Sequence, residues 1–384
     1  MRKGYIISSG LAMFSMFFGA GNVVFPLSLG QYAQDQQIPA IIGLLITAVG
    51  VPFLGLLAMI LFNGSYHTFF ERMGKVPGFI VMIIIMILLG PLGALPRCIA
   101  LAYSTTSVYL PNLPLPVYSI VACFFIFLFT FRLNAVIDLL GAVLTPFLLI
   151  SLGSIITIAL WNYSEVPVNT DSSFTVFFKG LEQGYQTMDL LGAFFFSTVV
   201  LLSLKSHQEG NEKTDHRALL SATIQASVIG ASLLGLSYIG FVYTASSMST
   251  TLAEFPPEQL IGAIAESVLG PYGGVAVCVA VTLACFTTAI ALAAVFAEFL
   301  ADEIAPNKIS YPMALVATLV VAAGVAMLNF NGIVALLGPI LQVCYPALIV
   351  LTICNILYKL FNFPYVKVPV GIVFLISLIY TLFV

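Results

Sequence analysis

The sequence predicts an all-α polytopic membrane protein with about eleven transmembrane helices. Three observations carry that prediction. The chain of 384 residues is 60% hydrophobic and only 8% charged, where soluble domains carry about 25% charged residues. Its mean hydropathy is +1.10. Residues 4–34, 98–131, 218–253, 267–297 and 309–358 contain no Asp, Glu, Lys or Arg, and a helix needs about 20 apolar residues to cross a bilayer. A cytosolic enzyme and a disordered chain are excluded on these grounds. A net charge of −3 without a basic patch excludes a nucleic-acid binder. The apolar runs are continuous rather than alternating, which excludes a membrane β-barrel. Helices then satisfy the backbone polar groups in lipid.

Taken in order, the candidate spans cover about 5–30, 39–62, 79–108, 115–131, 136–161, 183–205, 217–245, 271–300, 310–328, 332–357 and 366–384. Turn-formers separate them, as at Pro111-Asn112-Leu113-Pro114 and Phe361-Asn362-Phe363-Pro364. Arg2-Lys3 before an apolar stretch mimics a signal peptide. The stretch continues without a cleavage site, so it is kept as the first span. With the N-terminus in the cytoplasm and alternating sides, the inside segments hold Arg2, Lys3, Arg72, Lys75, Arg132, Lys205, Lys213, Arg217, Lys308, Lys359 and Lys367. Only Lys179 falls outside, and Arg97 is intramembrane. That asymmetry obeys the positive-inside rule. The extramembrane pieces 162–182 and 246–270 are too short for a domain, and no Walker A sequence occurs. Active work would therefore draw on an ion gradient or a partner chain. All six cysteines lie in apolar stretches without a CxxC pair and read as small buried hydrophobes.

Polar and helix-breaking residues concentrate in four spans. The first contains Phe18-Gly19-Ala20-Gly21-Asn22 and Phe25-Pro26. Each glycine costs about 1 kcal/mol against Ala in a helix, and Pro26 removes a backbone donor. The glycines suit either close helix packing or a discontinuous helix. In the second reading, free N–H groups meet a carboxylate and free carbonyls coordinate a cation. The sixth span reads Gly184-Tyr185-Gln186-Thr187-Met188-Asp189-Leu190-Leu191-Gly192-Ala193-Phe194. Asp189 is either an intramembrane carboxylate, and so a functional candidate, or an interface residue of a span that starts later. Five spans lie within 5–161 and five within 183–357, with 366–384 as an additional span. Five is odd, so the two groups have opposite topology. Corresponding broken helices in inverted halves point to a transporter site at the bilayer midplane.

The eighth span holds Thr282, Ala284, Cys285, Thr287 and Thr288. Helical threonines bond back to their own carbonyls, or adjacent hydroxyls and a freed carbonyl serve a hard cation such as Na⁺. Arg97, in Pro91-Leu92-Gly93-Ala94-Leu95-Pro96-Arg97, either faces protein or water, snorkels, or pairs with carbonyls freed by Pro91 and Pro96. Asp138 and Glu298 fall near span ends and receive no role. His67, His207 and His216 fall in loops, so a histidine proton relay lacks support. No HExxH, GxSxG or paired catalytic carboxylates appear, and no enzyme is expected.

With these residues in hand, the chain resembles the branched-chain amino acid:cation symporter family of BrnQ type, within the amino acid-polyamine-organocation superfamily. Four segments carry the resemblance: Phe18-Gly19-Ala20-Gly21-Asn22 with Phe25-Pro26; Gly90-Pro91 with Pro96-Arg97; Gly184-Tyr185 with Thr187-Met188-Asp189; and Ala284-Cys285 with Thr288-Ala289 and Ala297-Glu298. Tyr345-Pro346 also fits. The resemblance implies a sodium-coupled importer of leucine, isoleucine and valine in a bacterial inner membrane, built on the five-plus-five inverted-repeat, leucine-transporter-type fold. The expected substrate site takes the carboxylate on backbone N–H groups around Gly19, Ala20, Gly21 and Asn22. Asp189 and the break reaching to Gly192 take the ammonium. An apolar pocket including Phe194 and Tyr103 takes the side chain. The implied sodium site uses carbonyls near Ser15 and Phe18, the Ala284 carbonyl, and the hydroxyls of Thr287 and Thr288.

No resident cofactor and no obligate protein partner are expected beside substrate, sodium and lipid. Alternatives are a proton-coupled carrier of another apolar amino acid such as methionine, and a channel. The chain departs from the family at Ser104, where an acidic residue is usual, and at its short C-terminus.

Overall fold

The computed structural model describes residues 3–131, 145–161, 166–206, 216–306 and 308–383. The described elements are all helical: α1 Lys3–Phe17, α2 Ala20–Ala33, α3 Gln37–Leu61, α4 Tyr66–Phe70, α5 Lys75–Leu89, α6 Ala94–Ser107, α7 Leu115–Thr130, α8 Thr145–Trp161, α9 Ser173–Gln186, α10 Asp189–Ser206, α11 His216–Ser247, α12 Leu260–Phe299, α13 Tyr311–Ala326, α14 Asn329–Phe361 and α15 Lys367–Phe383. They fall on the eleven expected spans, with earlier starts for the sixth and eighth and with the first part of 136–161 outside the described residues.

Length follows from the solvent. The 25-residue α3 is roughly 37 Å long at about 1.5 Å per residue, enough for a hydrocarbon core of about 30 Å. The bundle's rim is apolar. Ile120, Phe124, Val320 and Leu375 are all more than half exposed, which in water would be a large apolar patch and in lipid costs nothing.

The first, third and sixth spans are broken. The first is the pair α1 and α2, bent by 72°. The third is α5 and α6, joined by Gly90–Gly93. A Cβ at Gly93 would collide with the Leu88 carbonyl oxygen, so only glycine lets the chain turn there. The sixth is α9 and α10. It starts about ten residues before the expected 183, so much of the segment read as an outer loop is helix. α9 carries Lys179, Glu182 and Gln183 on one side, which hides it from a hydropathy reading; the Lys179 ammonium pairs with Glu182 at 2.8 Å. Likewise α12 begins at Leu260, inside the segment read as extramembrane. It bends at Gly270, whose φ of 72° lies in the left-handed region that favours glycine.

Each of the broken spans one and six lies along an unbroken neighbour. Both halves of the first pack on α11. Gly10 of α1 abuts Ile229, and a Cβ at Gly30 of α2 would collide with the Val242 carbonyl. Both halves of the sixth pack on α3. A Cβ at Gly43 would strike the Phe177 carbonyl, and one at Gly180 the Ala40 carbonyl, while Leu190 of α10 reaches Gly55. Small residues thus bring backbones into contact, the usual device where lipid gives helices no hydrophobic reason to associate.

Candidate functional site

The three breaks converge on one cavity of about 40 Å³, walled by Gly19–Asn22 of the first span, Leu89, Ala94 and Arg97 of the third, and Thr187–Asp189 and Gly192 of the sixth. Thr288 and Leu292 of α12 close it from the other side.

At the first break Gly19 is extended, with φ −115° and ψ −162°. Its N–H donates to Asn22 Oδ1 at 2.9 Å, so the third residue of α2 caps that helix from within. The N–H groups of the first turn of an α-helix have no intrahelical acceptor, and the helix dipole makes them a site for negative charge. At the sixth-span break Met188 has φ 63°. A left-handed non-glycine residue costs roughly 1–2 kcal/mol, and such strain is typical of functional backbone. At the break the Gly184 and Tyr185 carbonyls accept from Thr187 and Met188, while the Gln186 carbonyl and the first N–H groups of α10 turn to partners outside the helix. One of these, Leu190 N–H, donates to the Tyr345 hydroxyl at 3.0 Å.

Asp189 opens α10 and is 4% exposed. Asn22 Nδ2 donates to both of its oxygens, at 3.0 and 2.8 Å. Tyr238 O–H donates to Oδ2 at 3.0 Å, and Asn22 also donates to the Tyr238 hydroxyl. The network ties spans one, six and seven together. Its donors are neutral, and no described Lys, Arg or His forms an ion pair with Asp189. A carboxylate shielded from water and met only by neutral donors is poised for a cation.

Arg97 is 2% exposed. Its Nη1 donates to the Gln186 carbonyl at 2.8 Å and to Met188 Sδ at 3.4 Å, and Nη2 donates to Gln186 Oε1 at 3.1 Å. The partner carbonyl belongs to the sixth-span break and not to the turn around Pro91 and Pro96. The guanidinium also sits 5.5 Å from the Phe25 ring centre, within cation–π range.

Of the sequence-expected substrate residues, Gly19, Ala20, Gly21, Asn22, Asp189 and Gly192 line the cavity. Phe194 and Tyr103 do not. Phe194 is packed between Phe69 and Phe70, with ring centres 5.1 and 5.3 Å away. Tyr103 donates to the Leu113 carbonyl at 3.2 Å and stacks edge-on against Tyr118. Apolar wall is supplied instead by Met16, Phe17, Phe196 and Leu292. Of the expected sodium ligands, Thr288 and Phe18 meet: the Thr288 hydroxyl donates to the Phe18 carbonyl at 3.4 Å. Thr287 donates to the Ala284 carbonyl of its own helix at 2.8 Å. Ser15 is half-buried in α1. Sequence reasoning missed Tyr238, Tyr345 and Gln186. A buried Tyr hydroxyl needs a partner, but nothing in the chain's order says which.

The chain matches the profile of the branched-chain amino acid transport protein family over residues 2–383. It belongs to that family. It is 30% identical over 368 residues to the branched-chain amino acid permease BrnQ of Bacillus subtilis, covering 93% of this chain and 82% of that one. It is also 30% identical to the permease BraB of the same organism, over 92% of this chain and 80% of the other. A putative branched-chain amino acid carrier protein of Staphylococcus aureus is 28% identical, over 96% and 86%. Among solved structures, Mhp1, a nucleobase-cation-symport-1 family transporter in a closed conformation with bromovinylhydantoin bound, superposes with a TM-score of 0.66 at 16% identity, covering 98% of this chain and 90% of that one. The fold is therefore the leucine-transporter type, and the family member is a multi-pass membrane transporter rather than an enzyme.

Proposed function

We propose that the chain imports leucine, isoleucine and valine by sodium symport through alternating access, in a bacterial inner membrane with its N-terminus in the cytoplasm. The observation that carries this reading is the pairing, in one cavity, of the N-terminal N–H groups of α2 with the Asp189 carboxylate. The first suits a substrate carboxylate and the second its ammonium. Met16, Phe17, Phe196 and Leu292 form an apolar wall that matches an aliphatic side chain. A cavity of about 40 Å³ exceeds the roughly 10–15 Å³ that a single water needs but is far too small for an amino acid. A branched side chain enters only as that wall moves, as alternation between states requires.

Sodium is proposed at the junction of spans one and eight. The Phe18 carbonyl, at the break, and the Thr288 hydroxyl that donates to it are the proposed oxygen donors. Binding there couples to transport because it holds α1 against α12, and coupling requires that the ion favour one conformation. The two groups of five spans, 5–161 and 183–357, are proposed as inverted repeats. Lipid is the surrounding partner, and no protein partner is proposed.

Labelled leucine uptake into proteoliposomes tests the proposal. An inward sodium gradient at equal pH should drive concentrative uptake, with isoleucine and valine as competitors. Uptake indifferent to sodium but driven by a proton gradient, or competed best by methionine, gives the proton-coupled alternative. Flux that does not saturate makes the protein a channel.

A further inference from the structure

The proposed transport reading leaves one charge in the cavity wall unexplained. Arg97 is buried, and no carboxylate accompanies it among the described residues. A guanidinium has five N–H donors. Three are engaged, all by the sixth-span break: Gln186 holds both terminal nitrogens, and Met188 sulfur takes the remaining Nη1 hydrogen. Nε has no hydrogen-bond partner although it is shut off from solvent, and Nη2 keeps one hydrogen unassigned. Nε–H and Nη2–H together form the side-on fork of a guanidinium, the geometry that grips a carboxylate through two parallel hydrogen bonds.

Arg97 and Asp189 line the same cavity yet form no ion pair, because each is held elsewhere. Asp189 is committed to Asn22 and Tyr238. Arg97 is anchored to Gln186 and against the Phe25 ring. The cavity wall therefore presents one cation and one anion, each tethered by neutral groups and neither satisfied by the other. An α-amino acid zwitterion carries the complementary pair.

Resting on the transport reading, we infer that Arg97 is a substrate-binding residue that takes the amino acid carboxylate through its Nε edge, beside the N–H groups of α2. The third span thus contributes directly to recognition. The same contact gives the sixth span a way to register occupancy, because the guanidinium that holds the substrate also holds the Gln186 carbonyl at the break.

The test compares leucine with leucinol, which keeps the ammonium and the side chain but lacks the carboxylate. Binding is read by thermal shift on the full chain in detergent. Leucine binding by the wild type comes first: a protein that binds no branched-chain amino acid overturns the transport reading and this one together. Wild type should prefer leucine over leucinol by at least about 100-fold, since a site built to bond a polar group rejects the analogue lacking it. Arg97→Gln should lose most of that preference while keeping leucinol affinity within a few-fold. Arg97→Lys should fall between, retaining charge without the fork. An undiminished preference in a folded Arg97→Gln variant, or a wild type indifferent to the carboxylate, overturns the assignment. Should the variants not fold, phenylglyoxal modification of the wild type, read by mass spectrometry, decides. Leucine should protect Arg97 and leucinol should not, and equal protection by both rejects the assignment.

Discussion

At the scale of single residues, the hydrogen-bond network around Asp189 sets the strongest expectation. Asp189→Asn keeps the shape but cannot accept from Asn22 and Tyr238 as a carboxylate does, and it removes the charge offered to an ammonium. Hydrogen bonds to charged groups contribute roughly 1.5–3 kcal/mol each. Leucine uptake at matched expression should fall at least about 100-fold, and a rate near wild type would remove Asp189 from the site. Tyr238→Phe deletes one donor and should weaken leucine binding by roughly 10-fold on the same scale, measured by titration of the purified protein. Thr288→Ala should raise the sodium concentration for half-maximal uptake by roughly 10-fold, the cost of losing one hydroxyl ligand at about 1.4 kcal/mol. Thr287→Ala should do less, because that hydroxyl already bonds its own helix; equal effects would remove the distinction between them. Glycines, asparagine and a lone carboxylate announce themselves against an apolar background, so these positions are readable in the chain. Tyr238 is not, being one of 16 tyrosines whose partners, Asp189 and Asn22, lie 49 and 216 residues away in other spans.

At the scale of helices, the breaks in the first and sixth spans are readable, because Gly19, Gly21 and the Thr187-Met188-Asp189 sequence interrupt apolar runs. The break in the third span is less so: Gly90-Pro91 and Gly93 suggest a weak point, but the backbone collision that makes Gly93 necessary depends on how the turn folds back. The start of α9 is hidden for another reason. It buries its glycine face against α3 and leaves polar residues on the other, so average hydropathy undervalues it. That seam also sets a prediction. Gly43→Ala or Gly180→Ala places a methyl group into a facing carbonyl and should cost on the order of 1–3 kcal/mol as an overpacking change. It should appear as a lower melting temperature in detergent. Gly153→Ala, which meets nothing within 4 Å, is the control. Equal melting of both variants would mean the helices do not touch there.

For the whole molecule, the class of fold follows from solvent physics and is the most readable property of the chain. The apolar pocket wall is the least, since Phe194 and Tyr103 sit on the expected helices yet point into other packing. The proposed movement between states can be tested on a native thiol. Cys98 lines the cavity and is 2% exposed, so a maleimide should modify it only when the site opens, and leucine should slow the reaction at least several-fold. Constant labelling with and without leucine would speak against any such opening. The splinting of spans one and six by α11 and α3 has a mechanical consequence. A discontinuous helix invites the picture of a hinge, but here each gap is bridged by a continuous strut on which both halves rest. The gaps are then expected to act as fixed notches in a stiff frame. The frame should swing as one piece against the remaining spans, so that spectroscopic rulers across each notch stay constant while those from frame to surroundings change.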